Sequence, residues 1–153
     1  YGDHQDLHSF PTRRSSDLTG LRAEFDKAYT GSSGVVDAGN RLPGVPSSQL
    51  FGELAWKHAA SGFQAAIEGV ARSRVYVDDM NAARSAPGYA IANLRLAVER
   101  NYGAFSVGSF LRIDNLFDRE YIGSVVVGDG NGRYYEPAPG RAWLAGVSLK
   151  HQF

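Results

Sequence analysis

The chain is 153 residues long, room for one ordinary domain, and its 16 basic and 16 acidic side chains cancel. That balance leaves no global field to draw in nucleic acid or an anionic membrane surface. Cysteine is absent, which excludes disulfides, thiolate metal sites and a cysteine nucleophile, and no apolar run approaches the roughly 20 residues of a membrane-spanning helix.

The first stretch, YGDHQDLHSF, is polar from its first residue and does not read as a signal peptide. HSFPTRRSSDL, residues 8–18, coincides residue for residue with one reading frame of a common short-read sequencing adapter. Arg13-Arg14-Ser15-Ser16 also resembles a basic phosphorylation motif, but a match over the whole segment favours a non-native origin. Residues 1–18 are therefore set apart from the fold, and residues 19–153 are read as the protein, with upstream coding sequence missing at the junction.

From Thr19 onward the apolar residues alternate with period two, the signature of strands with one apolar and one polar face. Strands are expected over 21–30 (weakly), 49–58, 63–77, 90–100, 105–113 and 143–153. In 63–77, Phe63, Ala65, Ile67, Gly69 and Ala71 fall on one side, Gln64, Glu68 and Arg72 on the other. The connections alternate in length. Long ones cover about 30–48, 78–88 and 118–141; short ones fall at 59–62 and 101–103. All long loops then leave the sheet at one end.

A soluble sandwich has no need of that asymmetry, whereas outer-membrane barrels show it regularly. Trp56, Phe63, Tyr102, Phe105 and Phe153 gather near the short turns; Phe51, Tyr76, Tyr89, Phe117, Tyr121, Tyr134, Tyr135 and Trp143 gather near the long loops. Between these bands the strands carry aliphatic residues, as two interfacial aromatic girdles require. The alternate positions Glu53, Lys57, Glu68, Arg72, Arg74, Arg95, Glu99, Arg112 and Asp114 then form a charged lumen lined with ion pairs. The expected fold class is all-β, six antiparallel strands of a transmembrane β-barrel.

Two motifs in the last third carry a family resemblance. FLRIDNLFDREYIGS (110–124) holds Asn115, Leu116, Phe117, Asp118 and Tyr121; GNGRYYEPAPGRAWLAGVSLKHQF (130–153) holds Pro139, Gly140 and Arg141 and ends on Phe153. The combination resembles the carboxy-terminal barrel part of the TonB-dependent outer-membrane receptors, of the siderophore-receptor kind. GNRLPGVPSSQLFGELAW (39–56) and APGYAIANLRL (86–96) fit the spacing of that family's final hairpins. The resemblance implies the last strands of a barrel of about 22, incomplete in this chain. It further implies a plug domain and TonB box upstream, and active uptake of a metal chelate, most simply a ferric siderophore. Cobalamin, haem or another metal chelate is the alternative cargo; a passive porin-like barrel or an outer-membrane hydrolase is the alternative machine.

By the same resemblance the partners are outer-membrane lipid and lipopolysaccharide, the TonB complex through the missing amino-terminal part, the barrel-assembly machinery and the small-molecule chelate, with no nucleic acid. Phe153 would close the row read as the assembly signal, where His151 departs from the usual apolar choice. Arg41, Arg84, Arg133, Tyr134 and Tyr135 are the outer-loop candidates for ligand contact, since arginine forks suit anionic chelates. GDGNGR (128–133) lacks the spaced acidic ligands of a calcium loop and reads as a turn. Asp78, Asp79 and Asn81 also read as turn chemistry. No Ser–His–Asp arrangement can be assembled, and no cofactor or metal site is expected.

Overall fold

The computed structural model describes residues 12–32, 34–82 and 85–152. Among these there is no helix. The strands are β1 (Thr12–Gly20), β2 (Tyr29–Gly31), β3 (Gly34–Val36), β4 (Ser48–His58), β5 (Phe63–Arg72), β6 (Val75–Tyr76), β7 (Ser85–Ala86), β8 (Tyr89–Tyr102), β9 (Phe105–Asp114), β10 (Ile122–Val125), β11 (Tyr135–Pro137) and β12 (Ala142–His151). Six of them form one sheet in the order β1-β4-β5-β8-β9-β12, antiparallel throughout. The other six are short outer hairpins: β2 with β3, β6 with β7, and β10 with β11.

The register carries the sequence alternation into two unlike faces. On one, Leu54 of β4 stands beside Ile67 of β5, Leu94 of β8, Ile113 of β9 and Trp143 of β12. The next row is Trp56, Ala65, Leu96, Leu111 and Ala145. On the opposite face Glu53 stands beside Glu68 and Asn93, and Arg95 beside Arg112. The apolar face remains exposed: Leu50, Leu54 and Ile67 are near half accessible, and Val147 is 80% accessible. The sheet is open, so β1 and β12 each present an unpaired edge.

Short connections at 59–62 and 103–104 and long ones at 21–47, 73–88 and 115–141 put every long loop at one end, as the sequence predicted. Gly62 makes the first short turn possible. It sits at φ +66°, and a Cβ there would run into the carbonyl of Glu99 on β8. At this end Trp56 lies 5.8 Å from Phe63, and Phe105 lies 4.7 Å from His151, ring to ring, so the aromatics there do cluster.

Three strand boundaries differ from expectation. The segment 21–30 is not a sheet strand. Leu21, Phe25 and Leu42 donate backbone bonds to Ser47, Asn40 and Ala23, so the segment pairs with the returning arm of its own loop. Leu21, Ala23 and Phe25 do alternate with Arg22, Glu24 and Asp26, but the returning arm of the loop takes backbone bonds that a sheet neighbour would otherwise take. The strand from Phe63 stops at Arg72 instead of running to Val77. The Ser73 hydroxyl takes the backbone N–H of Ser48 at 3.0 Å, and Val75–Tyr76 turns away to pair with Ser85–Ala86. Arg74 therefore lies in a loop, outside the charged face.

The sheet's first strand is instead β1, which includes residues 12–18. Pairing with β4 needs only backbone groups, so any extended segment can occupy that edge. Its side chains do not continue the faces: Arg14 lies opposite Leu54 in the apolar row, and Ser16 opposite Gly52.

Candidate functional site

On the charged face Arg95, Arg112 and Lys150 are ion-paired. Arg95 reaches across β5 to Glu53 at 2.9 Å and Glu68 at 3.5 Å. Arg112 meets Asp114 at 2.8 Å, and Lys150 meets Glu99 at 3.6 Å. Glu53 and Glu68 face each other directly across the ladder, so Arg95 relieves a like-charge pair. With partly exposed partners each pair contributes about 1 kcal/mol or less.

Above the sheet the long loops are knitted together. Among the described residues, six hydrophobic side chains are buried, Val36, Ala66, Val75, Val77, Ala86 and Ile113; the four from loops and outer hairpins are Val36, Val75, Val77 and Ala86. The loops thus carry a small apolar cluster of their own. Its seams are polar. Tyr29 donates to Asp79 Oδ2 at 2.9 Å, Asn40 Nδ2 to the Asp79 carbonyl at 3.1 Å, and Asn81 Nδ2 to the Arg41 carbonyl at 2.8 Å. The Arg41 amide returns a bond to Asn81 Oδ1 at 2.6 Å, and the Gly128 amide donates to the Val77 carbonyl at 3.1 Å. Segment 76–81 therefore joins loop 21–47 to loop 115–141. The bond to the Asp79 carboxylate, with lesser help from burial and charge, holds the Tyr29 hydroxyl above its usual pKa. A cavity of about 220 Å³ opens between these loops, lined by Gly34, Val36, Asp78, Asp79, Met80 and Val127 among others.

Among the described residues the outer-loop candidates fall in two places, Arg41 in one and Arg133, Tyr134 and Tyr135 in the other. The backbone of Arg41 bonds the Asn81 side chain, while Arg133 donates its amide to Asp129 Oδ2 at 2.6 Å in a separate turn. Tyr134 and Tyr135 stand side by side with ring centroids 6.4 Å apart. Arg133 and Tyr135 are exposed, as a loop surface facing ligand needs. Arg84 and Phe153 lie outside the described residues.

The signature residues, by contrast, come together. Asn115 is 3% exposed and lies at φ +52°, where asparagine is tolerated. Its side chain accepts the Arg119 amide at 2.9 Å and donates to the Arg119 carbonyl at 2.8 Å, while its own amide bonds Asn93 Oδ1 on β8. Leu116 donates to the Ala92 carbonyl at 2.7 Å. Asp118, at φ +53°, accepts the Arg141 amide at 2.7 Å; the Arg141 guanidinium lies 3.9 Å from the other carboxylate oxygen. Gly140 belongs to the same fit, because a Cβ there would stand 3.0 Å from Asp118 Oδ1. Pro139 is exposed just before it. Phe117, 76% exposed, points out as an interfacial ring would. Tyr121 does not join it. Its ring packs 4.3 Å from Tyr89, which pairs with Arg72 on the charged face; burial first, then Tyr89 and Asp114, raises its pKa.

Asn93, Arg119, Tyr29 and Asp79 are structural partners that sequence reasoning missed. Asn115–Arg119 is a local contact four positions apart, whereas Asn93–Asn115 and Tyr29–Asp79 join residues 22 and 50 positions apart, which no local spacing signals. Asp78 and Asn81 do form the expected turn, Asp78 accepting the Ala82 amide, but Asn81 also reaches across to loop 21–47. Among the described residues, no group of three or more His, Asp or Glu side chains could hold a metal ion.

No family model matches the sequence. Solved structures similar to this chain include two receptors. The siderophore receptor PiuA from Acinetobacter baumannii superposes with a TM-score of 0.73 at 23% identity, covering 94% of this chain and 20% of the receptor. BauA, the ferric preacinetobactin receptor from the same organism, gives 0.71 at 21% identity, over 90% of this chain and 19% of the receptor. At these identities the likeness is one of fold, and this chain spans about a fifth of the length of each: its fold is all-β, an open six-stranded antiparallel sheet of the kind found in those barrels.

Proposed function

We propose that the chain is the carboxy-terminal part of a TonB-dependent outer-membrane receptor that imports a metal chelate, most simply a ferric siderophore. The observation that carries this reading is the two-faced sheet, aliphatic and exposed on one side, ion-paired on the other. A strand of ten residues such as β5 is roughly 33 Å long and, tilted by about 40°, rises roughly 25 Å, the height of the apolar band of such barrels. Lipid would cover Leu54, Ile67, Val147 and Leu149, while charges such as Arg95 would face lumen water. Facing lipid at mid-depth, an arginine would cost about 2–4 kcal/mol. The likeness to two receptors named for siderophores supports the cargo class.

On this reading the knitted loops lie outside the cell, with Arg41, Arg84, Arg133, Tyr134 and Tyr135 offered to an anionic chelate. The TonB contact and plug belong to the missing upstream part, and Phe153 ends the row read by the assembly machinery. Residues 1–18 are non-native: Arg14 in the apolar row would meet lipid, which a selected membrane strand avoids. The test is deletion of the whole receptor gene in iron-starved cells. Growth on one ferric siderophore should be lost and return with the intact gene. Undiminished growth on every chelate tried, or uptake that persists without TonB, would refute the receptor reading.

A further inference from the structure

The two halves of the carboxy-terminal signature meet at the outer end of β9, and their placement there bears on how the last strand is aligned. We propose that Asn115, Asp118 and Arg141 form a register lock for β12; the inference rests on the barrel reading above. Hairpins β4–β5 and β8–β9 have short connections, and a short turn fixes which residues face each other. Strands β9 and β12 are joined by residues 115–141, too long a connection to fix anything by turn geometry. The outer half of β12 gives weak guidance as well. Ala142 and Leu144 lie on the charged face and Trp143 and Ala145 on the apolar one, so a slip there exchanges one apolar residue for another.

The clasp supplies what the turn does not. Asp118 holds the Arg141 amide, the residue immediately before β12, in the one arrangement that sets Ala142 opposite Asp114. Asn115 ties the same corner to Asn93 on β8, so the outer ends of three neighbouring strands share one network. Both Asn115 and Asp118 hold positive φ to do this. A second fit marks the same register: the Phe110 ring lies over Gly146, where a Cβ would collide with it. Sliding β12 by two residues would bring Leu144 or Ser148 under that ring.

The test uses the intact receptor in outer membranes. Ser106→Cys with Lys150→Cys reports the native register, since these positions face each other on the lumen side, and Ser106→Cys with Ser148→Cys reports a slip of two. The native pair should cross-link on mild oxidation in the otherwise unaltered receptor. Asp118→Ala should lower the ratio of native to slipped cross-link about fivefold, the equilibrium weight of one net hydrogen bond. Asp118→Asn keeps an acceptor and tolerates positive φ, and should stay near the unaltered level. Replacing residues 115–141 by an Asn-Gly turn, which sets register by geometry, should restore the native cross-link without the clasp. Equal cross-linking in Asp118→Ala and the unaltered receptor overturns the register lock, as does a short-turn receptor that assembles out of register. Absence of the native cross-link from the unaltered receptor overturns the barrel reading instead.

Discussion

Asparagine and aspartate at positions 81, 115 and 118 hold left-handed backbone that glycine would adopt more freely. They keep the conformation because their side chains are used: Asn81 for Arg41, Asn115 for Arg119, Asp118 for Arg141. Tyr29 is the other residue whose chemistry is set by a distant partner. Its hydroxyl donates to Asp79, so the neutral form is favoured and the folded pKa lies above the ordinary 10.0. A raised value means the contact is complete below pH 10.0 and is lost as pH rises through the folded pKa. The difference in phenolate absorbance between the unaltered protein and Tyr29→Phe should therefore titrate with a midpoint above 10.0, and Asp79→Ala should bring it back. A midpoint at or below the ordinary value would mean that the loop contact is not made.

At the scale of elements, the strands were legible because alternation is a local property: 49–58, 90–100, 105–113 and 143–153 became sheet strands within one or two residues at each end, the last of them stopping at His151. The ends of the pattern were not. Val75 and Val77 continue the alternation of β5, yet they belong to the buried cluster of the loops, because Ser73 breaks the ladder by bonding Ser48. Nor could sequence show that loops 21–47, 73–88 and 115–141 interlock, since each cross-loop bond joins residues far apart in the chain. Within this cap Asn81 is the shared corner. Asn81→Ala removes its bonds to Arg41 and places alanine at φ +50°, and should cost about 2–4 kcal/mol. Hydrogen exchange at the Arg41 amide should accelerate by more than about tenfold while the amides of β5 and β8 hold their protection. Unchanged exchange at Arg41 would show that the loops are not held through Asn81.

For the whole molecule, the open sheet goes with the large apolar surface left uncovered: among the described residues neither outer edge of the sheet, nor its apolar face, has a partner. The signature residues were read as a family mark, and four of them, Asn115, Leu116, Asp118 and Arg141, are linked by hydrogen bonds, which no spacing rule states. Among the described outer-loop candidates, Arg41 lies apart from the consecutive Arg133, Tyr134 and Tyr135, a separation that no local pattern states. The central claim is that the exposed face meets lipid and the ion-paired face meets water. The chain has no cysteine, so single cysteines along β8 can be labelled in intact outer membranes with a charged, water-soluble thiol reagent. Asn93, Arg95 and Ala97 replaced by cysteine should react, and Leu94, Leu96 and Val98 should be protected, in strict alternation. Equal labelling of both sets, or protection of the charged-face positions alone, would contradict the account.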